Sequence, residues 1–177
     1  GLLFQQGLPA MPKTVFETAM LGRYSHHQSL WKDDPEDISV VDNALREFDL
    51  THLSARGVET LSGGEAQRLA LAQLVAQAPT LYLLDEPSNH LDLAHQLKGL
   101  QRLKEKVTSH RAALVMASHD INLVSQMCDH VLLLMGDGSY LAGPVSEILQ
   151  EEHLSEAFGC RIRRVESGKE AFFFPST

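Results

Sequence analysis

Two hydrophobic rhythms meet near residue 60. Before it, apolar residues recur at helical spacing. Val15, Ala19 and Met20 follow a Thr14 able to cap a helix. Ile38, Val41, Leu45 and Phe48 follow Asp34-Pro35-Glu36-Asp37, which supplies a cap, a proline at the first helical position and acids in the first turn. Gly7 to Pro12 reads as a loop for its glycine and prolines, and Ser25 to Asp34 as a polar, His-rich surface loop. Residues 13 to about 60 are therefore expected to be mainly helical, without strands.

From residue 61 helix and strand alternate. The pattern predicts a helix after Ser62, a strand at Leu81 to Leu84, and a helix carrying Leu93, Leu97, Leu100 and Leu103. A strand at Ala112 to Ala117, a helix with Ile121, Val124 and Cys128, and a strand at Val131 to Met135 follow. Near-continuous apolar strands between amphipathic helices predict an α/β fold with a parallel sheet covered on both faces. Gly136-Asp137-Gly138 marks a turn, Pro144 starts a short helix, and Glu166-Ser167-Gly168-Lys169 joins two terminal strands. Gly1 to Gln6 reads as the end of a strand begun earlier; with no initiator Met, an N-terminal truncation is expected.

Composition narrows the function classes. A chain of 177 residues, 44% hydrophobic, is long enough for one domain with a core. Its net charge of -8 argues against a nucleic-acid partner, which demands a Lys/Arg surface. No apolar run reaches the roughly 18 to 20 residues that span a bilayer, and the start lacks the order of a secretory signal, so a cytosolic location is expected. Cys128 and Cys160 fit no metal spacing and are expected to be buried thiols.

Three places carry candidate chemistry. Leu81 to Leu84 ends in Asp85-Glu86, which puts two carboxylates at the carboxyl edge of a parallel sheet, where such sheets bind ligands. One can hold Mg²⁺ and the next can orient or deprotonate a water; the plainer reading is a strand end capped by solvated acids. Ser62-Gly63-Gly64-Glu65 is either a capping box or a phosphate site at a helix N-terminus, with glycine N–H groups and a hydroxyl facing an anion. His119 follows an apolar strand and precedes a helix capped by Ser118 or Asp120. It either packs and caps, or donates a hydrogen bond to a γ-phosphate. The chain contains no Gly-x-x-x-x-Gly-Lys-Ser/Thr loop, and its one Gly-Lys pair, Gly168-Lys169, lacks that context.

Leu61-Ser62-Gly63-Gly64-Glu65, then Asp85-Glu86-Pro87-Ser88, then Asn89-His90-Leu91-Asp92, then His119, resembles in order and spacing the ATP-binding subunits of ABC transporters. The similarity covers essentially the whole chain. It implies a P-loop NTPase-like core at about 61–142, an inserted helical subdomain at about 12–60, C-terminal helices and a hairpin at 143–177, and missing N-terminal strands. It further implies that Ser62, Gly63, Gly64 and Glu65 form the signature motif, which touches ATP held by the opposite subunit of a head-to-tail homodimer. Asp85 then matches the aspartate near Mg²⁺, Glu86 the catalytic carboxylate, and His119 the switch histidine. Asn89 to Asp92 match the loop that crosses the dimer interface, with Asp92 near the nucleotide. Gln5 matches the glutamine that touches Mg²⁺ or water, with Gln6 as the neighbouring choice. Glu65 stands where glutamine is commonest, and Gln73 where arginine is frequent. The family's phosphate loop and adenine-stacking aromatic residue are absent, so the chain as given is expected to bind ATP weakly and to hydrolyse it negligibly.

Leu21-Gly22-Arg23-Tyr24 and the stretch Cys128 to Pro144 look like importers of iron-siderophore, haem or cobalamin chelates; a helix end with a glycine stop is the plain reading of the first. Such importers imply a membrane permease docked on the helical subdomain and a peripheral location on the inner membrane face. Ribosome-acting soluble ABC proteins share Glu86-Pro87-Ser88-Asn89-His90-Leu91-Asp92 and Arg68 to Ala72, but usually carry two cassettes and basic linkers. A non-catalytic module made from a degenerate cassette fits the missing loop but gives no chemical need for Glu86 and His119.

Overall fold

The computed structural model describes residues 1–5, 12–26, 34–89, 93–168 and 170–176. Most of the loops expected at Gly7 to Pro12 and at Ser25 to Asp34, and Gln6, His90, Leu91, Asp92 and Lys169, lie outside them. The chain forms two compact units, Gly1–Ala117 and Ser118–Thr177.

The first unit runs β1 (Leu2–Leu3), α1 (Val15–Met20), a 3-10 helix (Leu21–His26), α2 (Pro35–Glu47), α3 (Gly63–Gln77), β2 (Leu81–Asp85), α4 (Leu93–Ser109) and β3 (Ala113–Ala117). Local chemistry sets the helix starts. Thr14 and Glu17 form a reciprocal capping box on α1, and the Asp34 carboxylate accepts the Glu36 N–H ahead of α2. Once started, α1 and α2 bury Val15, Ala19, Val41 and Leu45 in one core with Leu69, Leu71 and Ala72 of α3 and Tyr82 and Leu84 of β2. Burial pushes the Tyr82 phenol pKa above its ordinary value, because the anion would lose its hydration. Thr18 is also fully buried, and among the described residues its Oγ1 has no partner. Thr18→Val, which keeps the branched shape and removes the hydroxyl, should raise stability by about 1 kcal/mol in urea unfolding.

The strands form a parallel sheet in the order β1-β2-β3, with Leu2 opposite Leu83 and Asp85 opposite Ala117. Its faces differ, contrary to the expected double cover. Tyr82 and Leu84 point into the core, while Leu2, Leu81, Leu83 and Val115 on the other face remain 38% to 59% exposed. No described element of this unit covers that face.

Gly22 also departs from expectation. It does not stop a helix; it lies inside the 3-10 segment, where an added Cβ would come within 2.4 Å of the Gln73 carbonyl oxygen of α3. Only glycine permits so close an approach. The contact places Arg23, whose Nε donates to Asp37 Oδ1 at 2.6 Å and whose Nη1 donates to the Ala76 carbonyl at 2.8 Å. One largely shielded guanidinium, 11% exposed, thus ties α2 to the end of α3, where helix carbonyls lack intrahelical donors.

The second unit runs α5 (Ile121–Met127), β4 (His130–Leu134), β5 (Tyr140–Pro144), α6 (Val145–Ile148), α7 (Glu151–Phe158), β6 (Ile162–Ser167) and β7 (Glu170–Pro175). The strand expected at 131–135 is present, but β4 pairs antiparallel with β5 instead of joining the parallel sheet. The Asp137-Gly138 turn explains this: Gly138 takes φ +89, which reverses the chain straight after β4. The terminal hairpin β6-β7 forms as expected. Asn122 of α5 fastens to it, donating to the Phe173 carbonyl and accepting the Phe173 N–H. Leu149, Leu154, Ile162 and Phe173 make this unit's core. The two cysteines are not buried thiols: Cys128 is half-buried at the end of α5, and Cys160 is exposed in the link after Gly159 caps α7.

Candidate functional site

The carboxylates at the end of β2 and the glycine-rich start of α3 belong to one unit and share a buried connection. Alternation along β2 turns Asp85 outward onto the open face, at the sheet's carboxyl edge. Gln5, also exposed, follows β1 at the same edge. Asp85 and Gln5 offer hard oxygen donors, a carboxylate and an amide carbonyl, which fit the preference of Mg²⁺. Among the described residues no group of three or more His, Cys, Asp or Glu forms a protein-only metal cage.

Glu86 leaves the strand with φ +47, a left-handed conformation that costs a residue with a Cβ roughly 1–2 kcal/mol. Its N–H donates to the Ala117 carbonyl of β3 at 3.0 Å, and its carbonyl accepts the Asn89 N–H at 3.1 Å. Pro87 beside it is fully buried. The surroundings hold this strained turn in place, as at many reactive positions.

Of the two readings of Ser62 to Glu65, the capping box is realised. Ser62 is the N-cap of α3, its Oγ accepts the Glu65 N–H at 3.3 Å, and Glu65 Oε2 accepts the Ser62 N–H at 2.7 Å and hydroxyl at 2.8 Å. The phosphate reading is compatible with this geometry, because first-turn N–H groups such as those of Gly63 and Gly64 have no intrahelical acceptor. The Ser62 N–H and then its hydroxyl hold the Glu65 carboxyl below its ordinary pKa of 4.5. A depressed folded pKa makes this contribution complete above about pH 4.5 and lost as pH falls through the lower folded value. Ser62→Ala should cost about 1 kcal/mol at neutral pH. Glu65→Gln, which keeps an acceptor for the Ser62 N–H, should flatten the acid limb of a stability-versus-pH curve.

The site also depends on residues to which the sequence assigned no individual role, Gln67 just after the Ser62 to Glu65 segment and Arg68 at the head of Arg68 to Ala72. Gln67, 2% exposed in α3, donates from Nε2 to the Pro87 carbonyl at 3.2 Å, joining α3 to the turn after Glu86. Arg68 donates to the Phe48 and Asp49 carbonyls and so closes the end of α2. The available signal was their place one turn inside a helix whose apolar neighbours, Leu69 to Ala72, run all the way round. His119 belongs to the second unit, is exposed, and directly precedes Asp120. Asp120 is the cap of α5: its carboxylate accepts the Leu123 N–H, while Ser118 Oγ accepts the Asp120 N–H. Asp92 lies outside the described residues. No described helix is long and apolar enough to cross a membrane.

The sequence profile of the family described as ABC transporter matches residues 1–89. The achromobactin transport ATP-binding protein CbrD of Dickeya dadantii is 36% identical over 162 residues, covering 88% of this chain and 60% of the relative. The hemin import ATP-binding protein HmuV of a Ruegeria species is 33% identical over all of this chain and 69% of its own length. Among solved structures, an inward-facing metal-chelate type ABC transporter matches 100% of this chain and 72% of its own, with TM-score 0.84 and 29% identity. The chain thus spans about 60% of the length of a relative such as CbrD. On these similarities and the parallel sheet that ends in Asp85-Glu86, the chain belongs to the ABC transporter ATP-binding family.

Proposed function

We propose that the whole protein is the ATP-hydrolysing subunit of an importer for a metal chelate such as an iron-siderophore, haem or cobalamin. The observation that carries this reading is Asp85-Glu86 at the carboxyl edge of a parallel sheet, in a chain similar along its length to a metal-chelate type transporter. The relatives named for achromobactin and hemin support the same substrate class.

Each residue has a task in this reading. Asp85 and Gln5 hold Mg²⁺, which when bound supplies charge neutralisation on the phosphates. Glu86 accepts a hydrogen bond from the attacking water and takes its proton. His119 donates a hydrogen bond to the γ-phosphate. Gly63 and Gly64 present N–H groups to ATP held by the other subunit of a two-fold dimer, and Ser62 adds its hydroxyl once that proton turns away from Glu65. Glu65 keeps that segment in register, and Asp92 lies in the loop crossing the interface. The helical subdomain at 12–60 docks on a permease, which places the protein on the inner face of the membrane. The chain as given, without a phosphate loop, should show no stoichiometric ATP binding in calorimetry.

Reconstitution tests the assignment. The whole protein with its permease in vesicles should take up a haem, cobalamin or siderophore complex only when ATP is supplied on the cassette side. ATP turnover that ignores the permease and rises with ribosomes would replace this reading with the soluble ribosome-acting one, to which Arg68 to Ala72 also conforms.

A further inference from the structure

The interior of α3 holds one amide that packing alone does not require. Gln67 is 2% exposed and sits between Ala66 and Leu69 to Ala72, where an apolar side chain of similar length would fill the same volume. Its Nε2 reaches the Pro87 carbonyl at 3.2 Å. Pro87 is fully buried and follows Glu86, whose φ of +47 is maintained from two other sides by the Ala117 carbonyl and the Asn89 N–H. Gln67 therefore provides the third tether of the Glu86 turn, and the only one of these three that comes from the helix begun by Ser62-Gly63-Gly64.

We propose that Gln67 is a positioning residue: it fixes the Glu86 carboxylate through the Pro87 carbonyl and fastens the signature helix to the hydrolytic turn of the same subunit. The inference rests on the role of Glu86 given above. Without the amide the Pro87 carbonyl loses this donor, and the left-handed turn can relax toward ordinary backbone angles, carrying Glu86 with it. Gln67 itself touches no substrate in this reading, and the Ser62–Glu65 capping box still holds the start of α3, so the loss falls on turnover and not on ATP affinity.

The test uses the whole protein with its permease. Gln67→Met keeps the volume and removes the donor, and is expected to lower kcat about 10- to 100-fold with KM for ATP within twofold of wild type. Gln67→Glu cannot donate while ionised but donates again once protonated, so its kcat relative to wild type should climb as pH falls, a slope absent from Gln67→Met. Equal kcat in wild type and Gln67→Met, a loss confined to KM, or parallel pH profiles for the two variants would each overturn the inference. So would failure of both variants to fold, which would assign Gln67 to stability alone. Glu86→Gln in the same assay separates the two levels. If that control retains wild-type turnover, the role of Glu86 fails and this inference with it; if it stalls while Gln67→Met does not, only the present inference fails.

Discussion

Glu86→Gln in the whole protein should cut ATP turnover about 10²–10⁴-fold, the range removed with a general base, and leave ATP binding intact. The substitution preserves size and the backbone tethers to Ala117 and Asn89, and an amide oxygen still accepts a hydrogen bond. What it cannot do is take a proton from water. Asp85 does not substitute for it, because in this reading its carboxylate is engaged with Mg²⁺. Single-turnover measurement of phosphate release separates this chemical loss from slow product release. Turnover within threefold of wild type would remove Glu86 from the proton-transfer role.

Arg23→Ala should destabilise the first unit by about 3–5 kcal/mol, the range for breaking a buried ion pair by removing one partner. The pair is short, 2.6 Å, and its side chains are only 11% and 9% exposed. Solvent therefore screens it little, and the truncation also withdraws the Nη1 donor from the Ala76 carbonyl. Against a typical total of 5–15 kcal/mol, that is a large share of stability. Urea unfolding should show a lower midpoint. Replacing both partners by apolar residues, Arg23→Met with Asp37→Leu, should recover much of the loss, since no charge is then left buried. A single-variant cost below about 1 kcal/mol would mean that the Arg23 contacts do not hold α2 to α3.

The alternation of helix and strand was legible because strands buried on at least one face and amphipathic helices leave different periodicities, and β2, β3 and α3 lie where those periods put them. Pairing partners were not. His130 to Leu134 looks as apolar as a central parallel strand, and only the turn at Asp137-Gly138 and the weakly patterned Tyr140 to Pro144 send it into an antiparallel hairpin. A double cover was inferred from strands that look buried throughout. Leu81, Leu83 and Val115 instead stand on an open face of the described unit, in a chain spanning about 60% of a relative such as CbrD.

The site was legible to a similar depth. Asp85, Glu86 and the Ser62 cap could be named from motif and spacing, and the structure places them at a strand end and a helix start. Asp37 was read as one of the acids in the first turn of a helix; its pairing comes from Arg23, which is distant in sequence and positioned by the close approach of Gly22. Gln67 was hidden for a related reason. A glutamine in a helix is an unremarkable polar residue until the carbonyl it meets, at Pro87, is known.

Light scattering of the Glu86→Gln whole protein, with and without ATP and Mg²⁺, tests most directly the claim that this chain supplies half of a composite nucleotide site. The account predicts a monomer that becomes a stable dimer only with nucleotide, and a dimer that fails to form when Ser62 is also replaced by a bulky arginine. Nucleotide-bound protein that remains monomeric, or a dimer indifferent to both ATP and Ser62, would contradict it.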